Sequence, residues 1–307
     1  MLNGKNKSFN IADKILCVVL ALLLGLYIVS FTKSCSSTDK REIVKSALVN
    51  KKYADKITMF QLQGQGDIIT ISKKGNNWFI TAPENPNVTI PASNEKIASF
   101  INDLISVQEM YKLSDKIEKN SAFGLTDSSA FYIRYYYDDK FNDIIFGNQD
   151  FALSSRYMMS GKSTAVYEIT NLYDKYLTPS VQLWAEPFII SQQILGEITP
   201  QDVQRCLVTY EGTTKKIDFP EKILELRHGG LPTAKYFYDN MFEKPLYEMK
   251  LELGNKNAVN LKIVKSDKTT DQEYFVATEY FENDKSKYIS YSKISGWTYN
   301  KIKEVTL

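Results

Sequence analysis

The residues able to do chemistry are few and scattered. His228 is the single histidine among 307 residues, so histidine-based nucleophilic triads and multi-histidine zinc sites lack their parts. It stands before Gly229-Gly230, a turn signal, and reads as an exposed loop residue. The cysteines are Cys17, Cys35 and Cys206; they form no CxxC pair and no disulfide framework. Cys206, on a strand pattern, reads as a buried apolar packer rather than a nucleophile. The run Ser160-Gly161-Lys162-Ser163-Thr164 ends like a phosphate-binding loop. That motif needs a glycine where Arg156 stands and a helix where residues 165–170 read as a strand, so a hairpin turn is expected. Carboxylates gather at Asp138-Asp139-Asp143, at Asp267 and Asp271, and at Glu279, Glu282 and Asp284. Glycoside hydrolysis uses a carboxylate pair, but nothing singles one out here, and turns attract aspartate for backbone reasons. No catalytic, cofactor-binding or metal-binding residue is assigned, no cofactor is expected, and the chain does not read as an enzyme.

One pattern survives as a candidate surface. In residues 130–137 alternation puts Phe131, Ile133, Tyr135 and Tyr137 on one face of a strand. Tyr132, Arg134 and Tyr136 take the other face. An outward aromatic row suits sugar rings or a protein partner; strand propensity and sheet packing account for it more simply, without a ligand.

The elements that must hold this row come next. Residues 15–31, ILCVVLALLLGLYIVSF, carry no charge and sit at the short end of what crosses a bilayer core. Lys14 and Lys33 flank them and extend the reach by snorkelling. The expected organisation is a cytoplasmic tail over 1–14, a transmembrane anchor over 15–33 and a stalk over 34–56. A first α+β module over 57–190 and a second β-rich module over 199–307 follow. Thr32-Lys33-Ser34 is a poor cleavage site and a poor lipobox before Cys35, which favours an uncleaved anchor over lipidation or cleavage. Lysines flank the run on both sides, so charge alone does not orient it.

Within the stalk, residues 38–52 have helical apolar spacing. Three strands are expected at 57–63, 67–73 and 78–81, then a helix entered at Ser93. In that helix Ile97, Phe100, Ile101, Leu104 and Ile105 share one face. Hairpins follow at 130–146 and 156–170, with a short helix at 171–177. The second half shows four more strands between 247 and 291. The step from first to third strand is similar in both halves, Phe131 to Arg156 and Tyr247 to Tyr274. Duplication and chance agreement both fit. The fold class is therefore α+β: one N-terminal transmembrane helix, then two antiparallel β-meander modules with a few helices.

Composition is ordinary for a globular chain, 43% hydrophobic and 24% charged. Beyond residue 33, 34 basic residues face 35 acidic ones, which gives no electrostatic footprint for nucleic acid. Composition leaves the identity of any small-molecule ligand open.

Residues 57–190 resemble a bacterial membrane-anchored domain-of-unknown-function family, number forty-three-forty. The matching features are Trp78-Phe79-Ile80-Thr81-Ala82-Pro83, the helix after Ser93, and Phe123-Gly124-Leu125-Thr126-Asp127. A strand pair ending at Phe146-Gly147 and the run Tyr167-Glu168-Ile169 complete them. Ser128-Ser129 stands where the family commonly has a proline, and residues 184–190 match its closing segment only loosely. The resemblance implies an extracytoplasmic domain tethered in the plasma membrane. It further implies association with ABC transporter components of the gliding-motility type, and it carries no known catalytic residues. The expected function is a non-enzymatic accessory subunit of such a complex. An envelope ligand- or carbohydrate-binding module, or an acid/base hydrolase, is the alternative.

Overall fold

The computed structural model describes residues 18–25, 42–115, 121–218, 220–266 and 273–306. Contacts divide the chain into residues 1–43 and residues 44–307. In the first unit, α1 covers residues 18–25. The second holds two antiparallel sheets.

The first sheet begins with β1 (Ile43–Ser46), then β2 (Ile57–Gly64), β3 (Asp67–Lys74), β4 (Asn77–Ala82) and β5 (Asn85–Pro91). After helix α2 (Asn94–Ile105) come β6 (Gln108–Ser114), β7 (Phe131–Tyr137), β8 (Lys140–Gln149), β9 (Ser155–Ser160) and β10 (Val166–Thr170). The spatial order is β1-β6-β10-β9-β8-β7-β2-β3-β4-β5. The β7–β8 register is set by the two-residue turn Asp138-Asp139, with φ of 46° and 58°; aspartate tolerates this left-handed pair, which matches strand twist. Gly161 begins the β9–β10 connection, as expected of a turn. Its N–H donates to Asp143 O, and a Cβ there would meet the Asp143 Cβ at 2.7 Å.

One face of this sheet carries Phe60, Leu62, Ile71, Ile80, Ile133 and Phe146, all fully or nearly fully buried. Helix α2 lies against it. Ser93 caps the helix through its hydroxyl to Lys96 N–H, and Ile97, Phe100 and Leu104 are the face it buries. Phe100 sits 5.2 Å from Phe60, 4.8 Å from Tyr176 and 5.1 Å from Trp184, centroid to centroid. The Trp184 ring is supplied by α3 (Val181–Trp184).

The second sheet consists of β11 (Val203–Tyr210), β12 (Thr213–Lys216), β13 (Tyr247–Leu253), β14 (Ala258–Lys265), β15 (Tyr274–Glu282) and β16 (Lys285–Ile294). Its order is β12-β11-β13-β14-β15-β16. Helix α4 (Glu221–Leu224) precedes the meander and α5 (Gly296–Thr306) closes the chain. The core here gathers Val208, Met249, Leu251, Val259, Leu261 and Val276 with Ile302 of α5. Phe79 of β4 joins this second core rather than the one its neighbour Ile80 fills. Its ring lies 4.6 Å from Tyr288, whose hydroxyl is 2.8 Å from Thr89 Oγ1.

Two expectations fail. The chain is mostly β rather than α+β, with 46% in strands and few helices. The stalk shows why: residues 43–46 form β1 instead of helix, because β-branched Ile43 and Val44 meet the backbone groups of β6 at the open sheet edge. Likewise the short helix at 171–177 is a 3-10 turn, Asn171–Tyr176. The second failure is the spanning helix over 15–33. Among the described residues no helix is long and apolar enough to cross a membrane. Of this run, residues 18–25 are described and are helical. The remainder of 15–33, Cys17, Cys35 and the tail 1–14 lie outside the described residues.

Candidate functional site

Strand β7 is central in the first sheet, and its alternation holds along its whole length. Phe131, Ile133, Tyr135 and Tyr137 are buried, while Tyr132, Arg134 and Tyr136 stand part-exposed on the opposite face. The three outward residues do not act as one group. The Tyr132 hydroxyl donates to Asp127 Oδ1 at 2.6 Å, and its ring packs beside Leu125, Ile145 and Val166 under the segment before β7. Burial, reinforced by Asp127, pushes its pKa up to about 12. Tyr132 therefore belongs to a small covered core.

Arg134 and Tyr136 remain on the open strip with a residue the sequence did not single out, Phe141. The guanidinium forks onto Asp143 across the β7–β8 pair, Nε to Oδ1 at 2.7 Å and Nη2 to Oδ2 at 2.9 Å. Its carbon also lies 4.4 Å from the centroid of Phe141. Tyr136 donates its hydroxyl to Gln61 Oε1 at 2.7 Å and places its ring 5.9 Å from Phe141. Phe141 is 49% exposed. The register that sets Phe141 opposite Tyr136 was available from the Asp138-Asp139 turn, and it is the signal that would have found this residue. Across β2 and β3 the strip continues through Gln61, paired with Thr70, and Met59, paired with Ser72. Chemically it is a rigid aromatic shelf whose polar groups already have partners. Such a surface stacks and packs well but holds no free acid, base or nucleophile.

Two other places bring titratable groups together. A cleft of about 420 Å³ opens beside Gly64, Phe146 and Thr178. On it Arg156 bonds Asp174 Oδ1 at 2.5 Å and Gly147 O at 2.6 Å, and Gln149 donates to the other Asp174 oxygen. This pairing ties the 3-10 turn to the sheet and leaves both charges compensated.

The second place is the joint between the sheets. Glu186 is buried there and accepts from Ser191 Oγ at 2.5 Å, Gln192 N–H at 2.8 Å and Gln193 Nε2 at 2.6 Å. His228 is close by, but its Nδ1 accepts from Gly230 N–H at 2.9 Å. Its Nε2 therefore carries the proton toward Glu186 O, 2.6 Å away. Ser191, Glu186 and His228 are thus neighbours without being a triad: the imidazole touches the glutamate's backbone rather than its carboxylate, and neither nitrogen meets the serine. His228 is part-buried, not an exposed loop residue, and desolvation holds its pKa below the ordinary value. Cys206 is buried, and desolvation pushes its thiol up to about 11, which disfavours the thiolate. Among the described residues no group of three or more His, Cys, Asp or Glu is placed to hold a metal ion.

Fold and surface together define a scaffold of two antiparallel sheets with one aromatic outer strip. Residues 78–219 match the family model described as Domain of unknown function (DUF4340). The match opens at the Trp78-Phe79-Ile80 run and extends past Ile190 through β11 and β12. No curated protein and no solved structure matches the chain.

Proposed function

We propose that this chain is a non-enzymatic interaction subunit at the outer face of the bacterial plasma membrane, working beside an ABC-type transport or gliding-motility-like complex. The observation that carries the interaction role is the shelf of Arg134, Tyr136 and Phe141. It is an aromatic surface held rigid by the β7–β8 register and by a forked ion pair, and it stays open to solvent. Rigid aromatics flanked by arginine are what protein interfaces enrich at their centres.

The membrane location draws on the apolar run 15–31. In its described part Val18, Val19, Leu20, Leu22, Leu23 and Leu24 are between 46% and 64% exposed. A helix apolar all round needs an apolar surrounding. The transporter association draws on the resemblance to the family whose model residues 78–219 match.

The test is capture of the tagged full chain from native membranes in mild detergent, followed by identification of what co-purifies. Recovery of transporter subunits supports the reading. Recovery of the chain alone, or its release from membranes by high salt, removes it.

A further inference from the structure

The turn from Glu186 to Gln193 gathers the parts of an acyl transfer. Glu186 Oε2 accepts from the Ser191 hydroxyl at 2.5 Å and from the Gln193 carboxamide Nε2 at 2.6 Å, so one oxygen holds both groups. Ser191 is fully buried and Glu186 nearly so, and no lysine or arginine among the described residues pairs with the carboxylate. A buried charge without a cation gains by taking a proton, and the hydroxyl that can supply it lies within reach of a general base. The carbonyl end of the amide is engaged as well. Gln193 Oε1 accepts at 2.7 Å from the backbone N–H of Asn94, the first residue of the 12-residue helix α2. An N–H at a helix N-terminus stabilises the negative charge that builds on a carbonyl oxygen when its carbon is attacked. Gln193 Nε2 also donates to Ala92 O at 3.0 Å, so its partners fix which amide atom is the nitrogen. Ser191 Oγ accepts from the Gln193 backbone N–H at 3.1 Å, which keeps the hydroxyl beside the residue it would attack.

We propose that Ser191 and Gln193 join in an internal ester, with Glu186 as the base. Ser191 Oγ attacks Cδ of Gln193 while its proton passes to Glu186 Oε2. The new Oγ–Cδ bond leaves the negative charge on Oε1, facing the Asn94 N–H. Collapse then breaks the Cδ–Nε2 bond, the same Oε2 returns the proton to Nε2, and ammonia departs. No oxidant, reductant or co-reactant is required, and the carboxylate ends as it began. A network that only satisfied donors would not need the hydroxyl and the amide on one carboxylate oxygen; a proton relay from one to the other does. The ester is independent of the interaction role proposed above. It closes a turn that carries contacts from both sheets. Asn77 Nδ2, at the start of β4, donates to Gln193 O at 3.1 Å, and Ser191 N–H donates to Tyr280 Oη of β15 at 2.7 Å.

The test is mass spectrometry of the purified, denatured full chain, intact and then as peptides fragmented across residues 186–193. The expected mass falls short of the sequence by one ammonia, with the loss confined to residues 191–193. Hydroxylamine, which cleaves esters, should open the link and leave a hydroxamate on residue 193. Ser191→Ala and Glu186→Gln should keep the full mass of their own sequences. The deciding measurement is made on the wild-type chain, so it does not depend on either variant folding. A wild-type peptide at full sequence mass, both fresh and after long incubation at neutral pH, overturns the ester. Conversion of Gln193 to a free glutamate also overturns it, since water rather than Ser191 is then the attacking group. Ammonia loss that persists in Ser191→Ala overturns it as well, because the lost nitrogen then leaves without that hydroxyl.

Discussion

Strands β3-β2-β7-β8-β9-β10 of the first sheet and β12-β11-β13-β14-β15-β16 of the second stand in the same order. In each, a hairpin pairs through its first strand with a four-strand meander. In each, the segment before the meander covers the outer face of its later strands: Phe123 and Leu125 in one, Phe237 and Phe242 in the other. The differences lie elsewhere. The first sheet gains β4, β5, α2 and β6 between hairpin and meander, and so acquires a helix-backed aromatic core. Its open outer strip carries Arg134, Tyr136 and Phe141. The corresponding strip of the second carries Arg205, Lys250 and Glu252, where hydrogen bonds from Arg205 and then Lys250 hold the Glu252 carboxyl down to about 2. One backbone plan thus supports two surface chemistries, because on an antiparallel sheet the outward residues are free to vary once the inward ones pack.

The largest expected effect tests the helix-backed core. Phe100→Ala removes the ring that Phe60, Tyr176 and Trp184 enclose, and should cost about 3–5 kcal/mol in chemical denaturation. A loss below about 0.5 kcal/mol, the size of an ordinary surface change, would mean that α2 is an accessory to the first sheet and not its support.

The joint between the sheets comes next. Glu186→Ala strands three donors, Ser191 Oγ, Gln192 N–H and the Gln193 amide. A stranded buried group costs about 1–3 kcal/mol. The wild-type chain should unfold in one transition and the variant in two, as the sheets lose their common fastening. A single transition in both would show that Phe79 and Tyr288 hold the sheets together unaided.

A smaller effect at the same joint depends on pH. Burial depresses the His228 pKa below its ordinary 6.5. The unfolded chain therefore binds that proton more readily than the folded one, and stability rises with pH across the window. His228 contributes fully above about pH 6.5, and the contribution fades as pH falls from there toward the folded value. The melting temperature of His228→Asn should show a weaker acid dependence than wild type between those limits. Parallel curves would assign the acid sensitivity to other groups.

Much of this plan was legible in the sequence because period-two alternation and turn residues are local signals. Both meanders, the inward and outward faces of β7, helix α2 and the turn at Gly161 follow from them. Strand β5 was not legible, since Pro86 and Pro91 argue against a strand, and proline is tolerated there only at the edge of the sheet. Neither β1 nor β6 stood out, because their pairing joins segments far apart in the chain. Phe141 and the contacts of Glu186 were missed for the same reason: a cross-strand neighbour or a buried acceptor is defined by register, which a list of spacings does not contain. Even His228, read as exposed, owes its burial to β16, whose Lys293 brackets Gly229 and Gly230.

The smallest expected change in stability is the most informative about the two outer strips. Phe141 is half exposed and lies outside every core cluster, so Phe141→Ala should alter stability by no more than about 0.5 kcal/mol. Its loss nevertheless takes away the ring that Arg134 and Tyr136 frame, the more exposed of the shelf's two aromatics. If the shelf is the contact surface, the variant should fold as wild type and yet lose most of the partner recovered from native membranes. Lys250→Ala, at the corresponding strip of the second sheet, should leave recovery unchanged. Equal recovery from Phe141→Ala and wild type would move the contact off the first sheet. Loss in both variants would mean that the partner spans the two strips, and that the aromatic and the charged surface are halves of one interface.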